Sequence, residues 1–161
     1  MRVVNDTNII ISSIFWSGSP YKIIRQALEE NYRIIISPTI LKEVRKVLKD
    51  PREKFVLTEK EVDDIVESIM LYAEVIEPTI SVDVVKQDPN DNHIIACAIT
   101  AKAAFIITRD NDLLVLKEYE GIMIITPEEF MSEINKSYRG ILKGFGPFEK
   151  GDKLDPHKNY T

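Results

Sequence analysis

The chain has 161 residues, the length of one ordinary domain, and its 44% hydrophobic and 29% charged residues exclude an intrinsically disordered protein. Its single cysteine, Cys97, excludes an internal disulfide framework and a cysteine-based zinc site, so we expect a reducing, cytoplasmic location. No signal peptide or membrane-spanning run is recognisable, and the net charge of −5 lacks the positive excess that is typical of nucleic-acid-binding proteins.

The first half of the chain alternates short β-branched runs with helical patterns. Two helix starts are marked by a serine followed by proline, and a third by a capping box of Thr58 and Glu61. The predicted elements are a strand at 2–5, a helix from Ser19 to about 30, a strand at 33–36, a helix after Ser37 to about 49, a helix after Thr58 to about 72 and a short strand at 74–77.

The second half continues the alternation. The predicted elements are a helix from Asp88 to about 102, a strand at 104–108, a turn and short helix at 110–116, a strand at 122–125 and a helix after Thr126 to about 137. Thr126 and Glu129 form a second capping box at the start of this last helix. The helix after Asp88 is apolar nearly all round, which predicts that it is buried. Residues 138–161 hold four of the six glycines and no apolar periodicity, so we expect one domain over 1–137 and a partly disordered tail over 138–161.

Strands that alternate with helices predict an α/β fold with a largely parallel central sheet. In such sheets, polar groups that follow the strands gather along one edge, where ligands bind. The positions of the acidic residues relative to the strands therefore matter more than their number.

Asp6 directly follows the first predicted strand. A carboxylate at a strand end is well placed to reach a hard cation, which prefers oxygen ligands. Thr7 and Asn8 would then orient it, although the three residues can equally form an Asx-turn that only ends the strand.

Glu43 lies on the predicted helix after Ser37, whose apolar residues form one arc and whose basic residues lie opposite. On a helical wheel it falls roughly 40° from Val47, at the border of the buried stripe. It is a candidate ligand, and the alternative is an ion pair with Lys42 or Lys46.

Asp88 and Asp91 open the buried helix. Asp88 is best interpreted as an N-cap, with Pro89 at the first helical position. Asp91 also suits the first turn, where the helix dipole favours negative charge. Its side chain faces an otherwise apolar side, however, and a carboxylate there needs a partner such as a metal ion.

Asp110 and Asp112 follow the strand at 104–108. They can form a turn and N-cap, and an EF-hand calcium loop is excluded because the required glycine and glutamate are missing. His93 is expected to cap or pack near its helix start, and it forms no metal motif with His157. Trp16 favours packing over stacking on a base.

Four short segments carry a resemblance to a known family. They are Val4-Asn5-Asp6-Thr7-Asn8, Leu41-Lys42-Glu43-Val44, the run from Asp88 to Ala96 and the run from Ile106 to Leu114. In this order and spacing, from about Arg2 to Ile134, they resemble the PIN domain, and more closely the stand-alone prokaryotic PIN proteins.

The resemblance implies a three-layer α/β/α fold and cleavage of RNA that depends on Mg²⁺ or Mn²⁺. It places the catalytic and metal-binding acids at Asp6, Glu43, Asp91 and Asp110, with Asp112 as an alternative in the last loop. It also implies a homodimer and, as for many members, a toxin that pairs with an antitoxin protein.

The hypothesis is hydrolysis of single-stranded RNA, because several close carboxylates stay ionised only beside a cation, which also binds phosphate. Thr7, Asn8 and Thr108 would fix the acidic side chains, and Arg109 and Lys102 could contact phosphates. One alternative is a non-cleaving RNA- or protein-binding regulatory module. Another is a haloacid dehalogenase-like phosphatase, which would want an aspartate where this chain has Asn8.

Overall fold

A computed structural model describes residues 1–29 and 31–142 of the chain. The strands are β1 (Arg2–Asn5), β2 (Arg33–Ile36), β3 (Ala73–Val75), β4 (Phe105–Ile107), β5 (Glu118–Tyr119) and β6 (Ile122–Ile125). The helices are α1 (Thr7–Phe15), α2 (Ser19–Leu28), α3 (Pro38–Leu48), α4 (Glu59–Tyr72), α5 (Asn92–Thr100), α6 (Asn111–Leu114) and α7 (Pro127–Leu142), with a 3-10 turn over Pro89–Asp91.

The strands form one sheet in the order β3-β2-β1-β4-β6-β5, in which only the short β5 runs antiparallel among the described strands. The chain moves outward from β1 in one direction and later returns to move in the other. Because such crossovers are right-handed, the helices of the two halves cover opposite faces of the sheet. The fold is therefore the predicted three-layer α/β/α arrangement with a mostly parallel sheet.

Burial and helix caps explain which elements formed as predicted. The last three residues of β2 are buried, and α5 is buried at Asn92 and from Ile94 to Ala98, as expected for its nearly uniform apolar surface. Both predicted capping boxes are present: Thr58 with Glu61 starts α4, and Thr126 with Glu129 starts α7. Local sequence signals and tertiary burial agree at these elements.

Helix α1 was not predicted, because the run Ile9, Ile10 and Ile11 is β-branched and favours a strand. Its helical state has a structural cause. The backbone oxygen of Asp6 accepts from the amides of Ile9 and Ile10, and all three isoleucines are buried. Packing of this segment overrides its local propensity.

Several element boundaries differ from those predicted. Gly18 rather than Ser19 is the N-cap of α2. The single helix expected from Asp88 is a 3-10 turn followed by α5, and the two-residue strand β5 was not anticipated. Helix α7 runs past residue 137 to Leu142, while the rest of the predicted tail, 143–161, lies outside the described residues.

The chain divides into two units after Met131. The unit Met1–Met131 contains the whole sheet and helices α1 to α6, and the described part of the second unit, from Ser132, is the later portion of α7. Within the described ranges, no helix is both long and apolar enough to cross a bilayer. The predicted boundary between a domain over 1–137 and a tail stays a prediction.

Candidate active site

The carboxyl ends of β1 and β4, which pair in the middle of the sheet, hold Asp6 and Thr108. The backbone amide of Asp6 donates to the carbonyl of Ile107 at 3.0 Å, which extends the ladder beyond the last residue of β1. Asp6 is buried, although a carboxylate normally stays in water. Its position is therefore set by the sheet itself.

Thr108 connects two of the predicted acidic residues. Its fully buried hydroxyl donates to Oδ2 of Asp6 at 2.8 Å and accepts from the backbone amide of Asp110 at 3.0 Å. Oδ1 of Asp110 accepts in turn from the amide of Asp112 at 2.9 Å, which caps α6. Thr108 thus orients Asp6, as predicted, and fixes the start of the loop that carries Asp110.

Asp91 ends the 3-10 turn and begins α5. Among the hydrogen bonds of the described residues, its Oδ2 has no partner although the atom is buried. Its neighbour Asp88 caps the turn, accepting from the amide of Asn90 at 3.1 Å, which is the capping role predicted for it. Asp91 therefore holds a buried oxygen whose desolvation no hydrogen bond among the described residues compensates.

The acidic side chains act on one another's ionisation. Burial raises the pKa of Asp91 to about 7, and the charges of Asp110, Asp6 and Asp88 add to the rise. Burial also raises the pKa of Asp6, against the hydrogen bond from Thr108, with smaller contributions from Asp110 and Glu43. Like charges that oppose ionisation in this way mark a cluster.

Glu43 reaches the cluster from α3 and is held by two hydrogen bonds. Its Oε2 accepts from the hydroxyl of Thr7 at 2.6 Å, and its Oε1 lies 2.7 Å from Nε2 of His93. Burial alone would raise the pKa of Glu43, but the bonds from His93 and Thr7 lower it below the ordinary value. Glu43 is thus kept ionised beside carboxyl groups that resist ionisation.

The structure brings Asp6, Asp91 and Asp110 together, with Glu43 close enough to Asp6 to affect its ionisation. In the loop after β4, the charge that acts most strongly on Asp91 is that of Asp110, which favours Asp110 over Asp112 as the fourth acid. Among the described residues Glu43 contacts Thr7 and His93 rather than forming the alternative ion pair with Lys42 or Lys46, although the charge of Lys46 helps to lower its pKa.

Sequence reasoning missed His93 as a partner of Glu43, because the two residues are 50 positions apart and no local pattern links them. It also missed Asn5, which is fully buried beside Asp6 with both amide atoms unpartnered among the described residues. Asn8 is exposed, so the expectation that it orients Asp6 gains no support. Lys102 precedes β4 and lies at the opposite edge of the sheet from Asp110.

A divalent cation fits this site by donor chemistry. Within 1–29 and 31–142, no three His, Cys, Asp or Glu side chains are already arranged to hold a metal ion. The buried unpartnered oxygen of Asp91, however, lies near carboxylates whose charges raise the pKa of Asp91. Oxygen ligands of this kind suit Mg²⁺ or Mn²⁺, whose charge would offset the repulsion.

Comparison with models of protein families identifies the family of the chain. The model described as PIN domain matches residues 2–112, well over half of the chain, and includes Asp6, Glu43, Asp91 and Asp110. The chain belongs to the PIN domain family. The acidic cluster thus lies within the part of this PIN domain that the family model covers.

The fold of the PIN domain is also found in a solved structure of 18% sequence identity. That chain comes from "VapBC2 from Rickettsia felis bound to a DNA fragment from their promoter". The match has a TM-score of 0.56 and covers 77% of this chain and 97% of that chain. A comparison with curated proteins gives no significant match.

Proposed function

We propose that this PIN domain is a metal-dependent endoribonuclease that hydrolyses phosphodiester bonds of single-stranded RNA. The observation that carries the proposal is the buried, unpartnered Oδ2 of Asp91 in a cluster with Asp6 and Asp110. A purely structural role would leave the buried Oδ2 of Asp91, which lies near two other carboxyl groups, with no partner to compensate its desolvation. A cation bound there would compensate the buried carboxylate and could also serve in hydrolysis.

Asp6, Asp91 and Asp110 would hold Mg²⁺ or Mn²⁺ through their carboxylate oxygens. When bound, the cation supplies charge neutralisation of the phosphate and activation of water. Thr108 keeps the Asp6 carboxylate in one orientation through its hydrogen bond. Glu43, held ionised by His93 and Thr7, would orient the attacking water by accepting a hydrogen bond from it.

In the reaction, the water oxygen bonds to phosphorus and the water gives up one proton to the solvent, one P–O bond of the RNA backbone breaks, and the leaving oxygen takes up a proton. The nucleophile is water rather than a side chain of the protein. The residues therefore contribute position and charge rather than covalent chemistry. The overall charge of −5 would repel RNA, which makes the bound cation part of substrate binding as well.

The test is cleavage of an end-labelled single-stranded RNA by purified protein with Mg²⁺, with Mn²⁺ and with EDTA. We expect metal-dependent cleavage that disappears in Asp6→Asn and persists in Asp64→Asn, which removes an exposed acid on α4 outside the cluster. Equal cleavage by wild type and Asp6→Asn would indicate a contaminating nuclease. RNA binding without cleavage under every condition would support the non-cleaving module instead.

We further infer that the protein is the toxin of a toxin–antitoxin pair. Membership of the PIN family and the fold shared with a chain of a VapBC2 complex support this proposal. Expression of the protein should arrest growth, Asp6→Asn should abolish the arrest, and the product of a neighbouring gene should relieve it. A homodimer stays a prediction, which sedimentation of the purified chain tests.

A further inference from the structure

A cavity of about 400 Å³ lies beside the acidic cluster, and the proposed function does not yet account for it. It is lined by Ser12, Trp16, Ser17, Gly18, Ser19, Pro20, Arg109 and Glu128. Arg109 directly precedes Asp110 in the loop after β4, and Ser12 lies on α1, which begins next to Asp6. Five residues of helix separate Thr7 from Ser12, or about 8 Å. The cavity therefore opens at the edge of the sheet that carries the carboxylates.

Trp16 provides an aromatic surface in this cavity and is held in place. Its backbone amide donates to the carbonyl of Ser12 at 3.1 Å. Its ring meets the ring of Phe15 edge to face at a centroid distance of 5.9 Å, and Phe15 stacks on Phe55 at 4.2 Å. Even so, 53% of Trp16 remains exposed. An indole fixed in this way offers a free face at little entropic cost.

Arg109 provides the positive charge. Its Nη2 donates to Oε1 of Glu128 at 2.5 Å, while about half of the side chain is exposed. A guanidinium has five N–H donors, so this pairing leaves others for a phosphate. Ser19 also bonds to Glu128, so two protein donors engage this carboxylate, while its negative charge remains and offsets part of the charge of Arg109. Ser12, Ser17 and Ser19 also line the cavity, and hydroxyl groups can donate hydrogen bonds to sugar or base atoms and accept them.

We propose that this cavity binds the nucleotide next to the cleaved bond, with its base stacked on Trp16 and its phosphate bound by Arg109. The inference rests on the proposed ribonuclease function and extends it to a substrate-binding subsite. The volume lies within the range of ligand pockets and suits a single nucleotide. An aromatic platform beside a cation is a common way to bind single-stranded nucleic acid.

A second cavity, of about 470 Å³, is larger but lies far from the carboxylates. Met1 and Arg33 line it, and they stand at the beginning of β1 and β2. Because parallel strands share their direction, this cavity lies at the opposite edge from the carboxylates. It cannot hold a nucleotide whose phosphate reaches Asp6 and Asp91.

Trp16 is the only tryptophan of the chain, so its fluorescence reports on this cavity alone. The experiment titrates Asp6→Asn, in which the proposed cleavage does not occur, with a five-nucleotide oligouridylate in Mg²⁺, and repeats the titration in EDTA to measure what the cation adds to binding. We expect saturable quenching that weakens as salt is raised, because a phosphate contact releases counterions. The anisotropy of a labelled copy of the same RNA measures binding independently of the indole.

Trp16→Ala should weaken binding roughly 5- to 150-fold, the equivalent of about 1–3 kcal/mol for stacking on one base, whereas Trp16→Phe should retain most of the affinity. Arg109→Ala should weaken binding and reduce its salt dependence. The matched control is Arg33→Ala, which removes an exposed arginine at the opposite edge and should bind like wild type. Thermal unfolding of each variant shows whether it is folded.

The outcomes separate the subsite from the reaction. RNA binding measured by anisotropy that is weakened by both Trp16→Ala and Arg109→Ala, in a protein that never cleaves RNA, would support the subsite and count against hydrolysis. Cleavage with an unchanged KM in Trp16→Ala and Arg109→Ala would overturn the subsite and leave the proposed function intact. RNA binding that leaves the fluorescence unchanged would also overturn it.

Discussion

At the scale of single residues, the site depends on the competition between burial and ionisation at Asp91. Its side chain loses water, lies near the charges of Asp110 and Asp6, and has an oxygen without a partner among the described residues. A proton or a cation can each relieve this cost. The ionisation of Asp91 therefore links the stability of the protein to pH and to metal.

The metal-free protein should lose stability as the pH rises from about 4 to about 7. The folded state keeps the proton on Asp91 up to a pKa of about 7, whereas the unfolded chain releases it near pH 4, so the folded state binds more protons in this window. Asp91→Asn removes this contribution. In EDTA, the stability of Asp91→Asn relative to wild type should increase by roughly 1–2 kcal/mol between the lower and the upper end of this pH range. The full pKa shift of Asp91 corresponds to a larger free energy, but solvent screening reduces it because the group is partly exposed.

Urea unfolding at pH 4.5 and 7.5 measures this difference. Asp64→Asn, an exposed acid on α4, should show no comparable change relative to wild type between the two pH values. A relative stability of Asp91→Asn that is the same at both pH values would show that the carboxyl group titrates normally.

Thr108 is a second residue whose removal should be costly. Thr108→Val keeps the shape but takes away the donor to Asp6, in a buried bond, and the acceptor for the amide of Asp110, in a partly buried one. We expect a loss of about 1–3 kcal/mol in the free energy of unfolding. Cleavage should fall about 10- to 100-fold, as for other groups that orient metal ligands.

The control for this change is Thr39→Val, at an exposed position of α3. It makes the same chemical substitution and should alter both quantities only slightly. Unfolding in urea and RNA cleavage would be measured on both proteins. Wild-type cleavage by Thr108→Val would mean that Asp6 needs no orienting donor.

The residue scale also shows what one sequence can and cannot predict about a site. Asp6 and Asp110 were predictable because each follows a strand, and the carboxyl ends of parallel strands share an edge. The bond between Glu43 and His93 was not, because it joins α3 to α5 across 50 residues. Such a pairing depends on how two helices pack, which no local pattern encodes.

At the scale of elements, caps and burial decide how well a segment can be predicted. The start of α4 was predictable because Thr58 and Glu61 bond to each other's backbone amides, a purely local arrangement. Helix α1 was not, because its three consecutive isoleucines favour a strand and only tertiary burial makes them helical. Local chemistry therefore predicts the capped elements better than the buried ones.

Helix caps also separate stability from activity. Ser37 caps α3, which carries Glu43, by accepting from the amide of Ile40 at 3.2 Å in a buried position. Ser37→Ala should cost about 1–2 kcal/mol of stability and also lower kcat, because the start of the helix that positions Glu43 loosens. Thr58→Ala removes an exposed cap from α4, which carries none of the proposed site residues, and should cost about 1 kcal/mol with kcat unchanged.

Urea unfolding and the turnover of labelled RNA, measured on both variants, test this pair. The interpretation predicts that both substitutions lower stability but that only Ser37→Ala slows the reaction. A fall in kcat for Thr58→Ala of the same size would indicate that general loosening, rather than the position of Glu43, limits turnover.

At the scale of the whole molecule, the sheet order brings distant parts of the chain to one site. The α/β class followed from the alternation of strands and helices, but the pairing of β1 with both β2 and β4 could not be read from one sequence. That pairing makes Asp6 and Asp110 neighbours although they lie more than 100 positions apart. A cation held by Asp6, Asp91 and Asp110 would therefore join segments that separate on unfolding.

Mg²⁺ should consequently stabilise the folded protein as a whole. A cation that binds only the folded state contributes about 2.7 kcal/mol when present at 100 times its Kd, which raises the Tm of a domain of this size by roughly 5–10 °C. The shift should be larger at pH 8 than at pH 6, because Asp91, with its pKa near 7, must release its proton to bind the ion. Thermal unfolding with Mg²⁺ and with EDTA at both pH values measures it, and Asp64→Asn should respond like wild type. A Tm shift of wild-type size in Asp91→Asn would place the cation elsewhere on the molecule. Loss of the shift in Asp91→Asn, with the shift retained in Asp64→Asn, would indicate that Asp91 binds the cation.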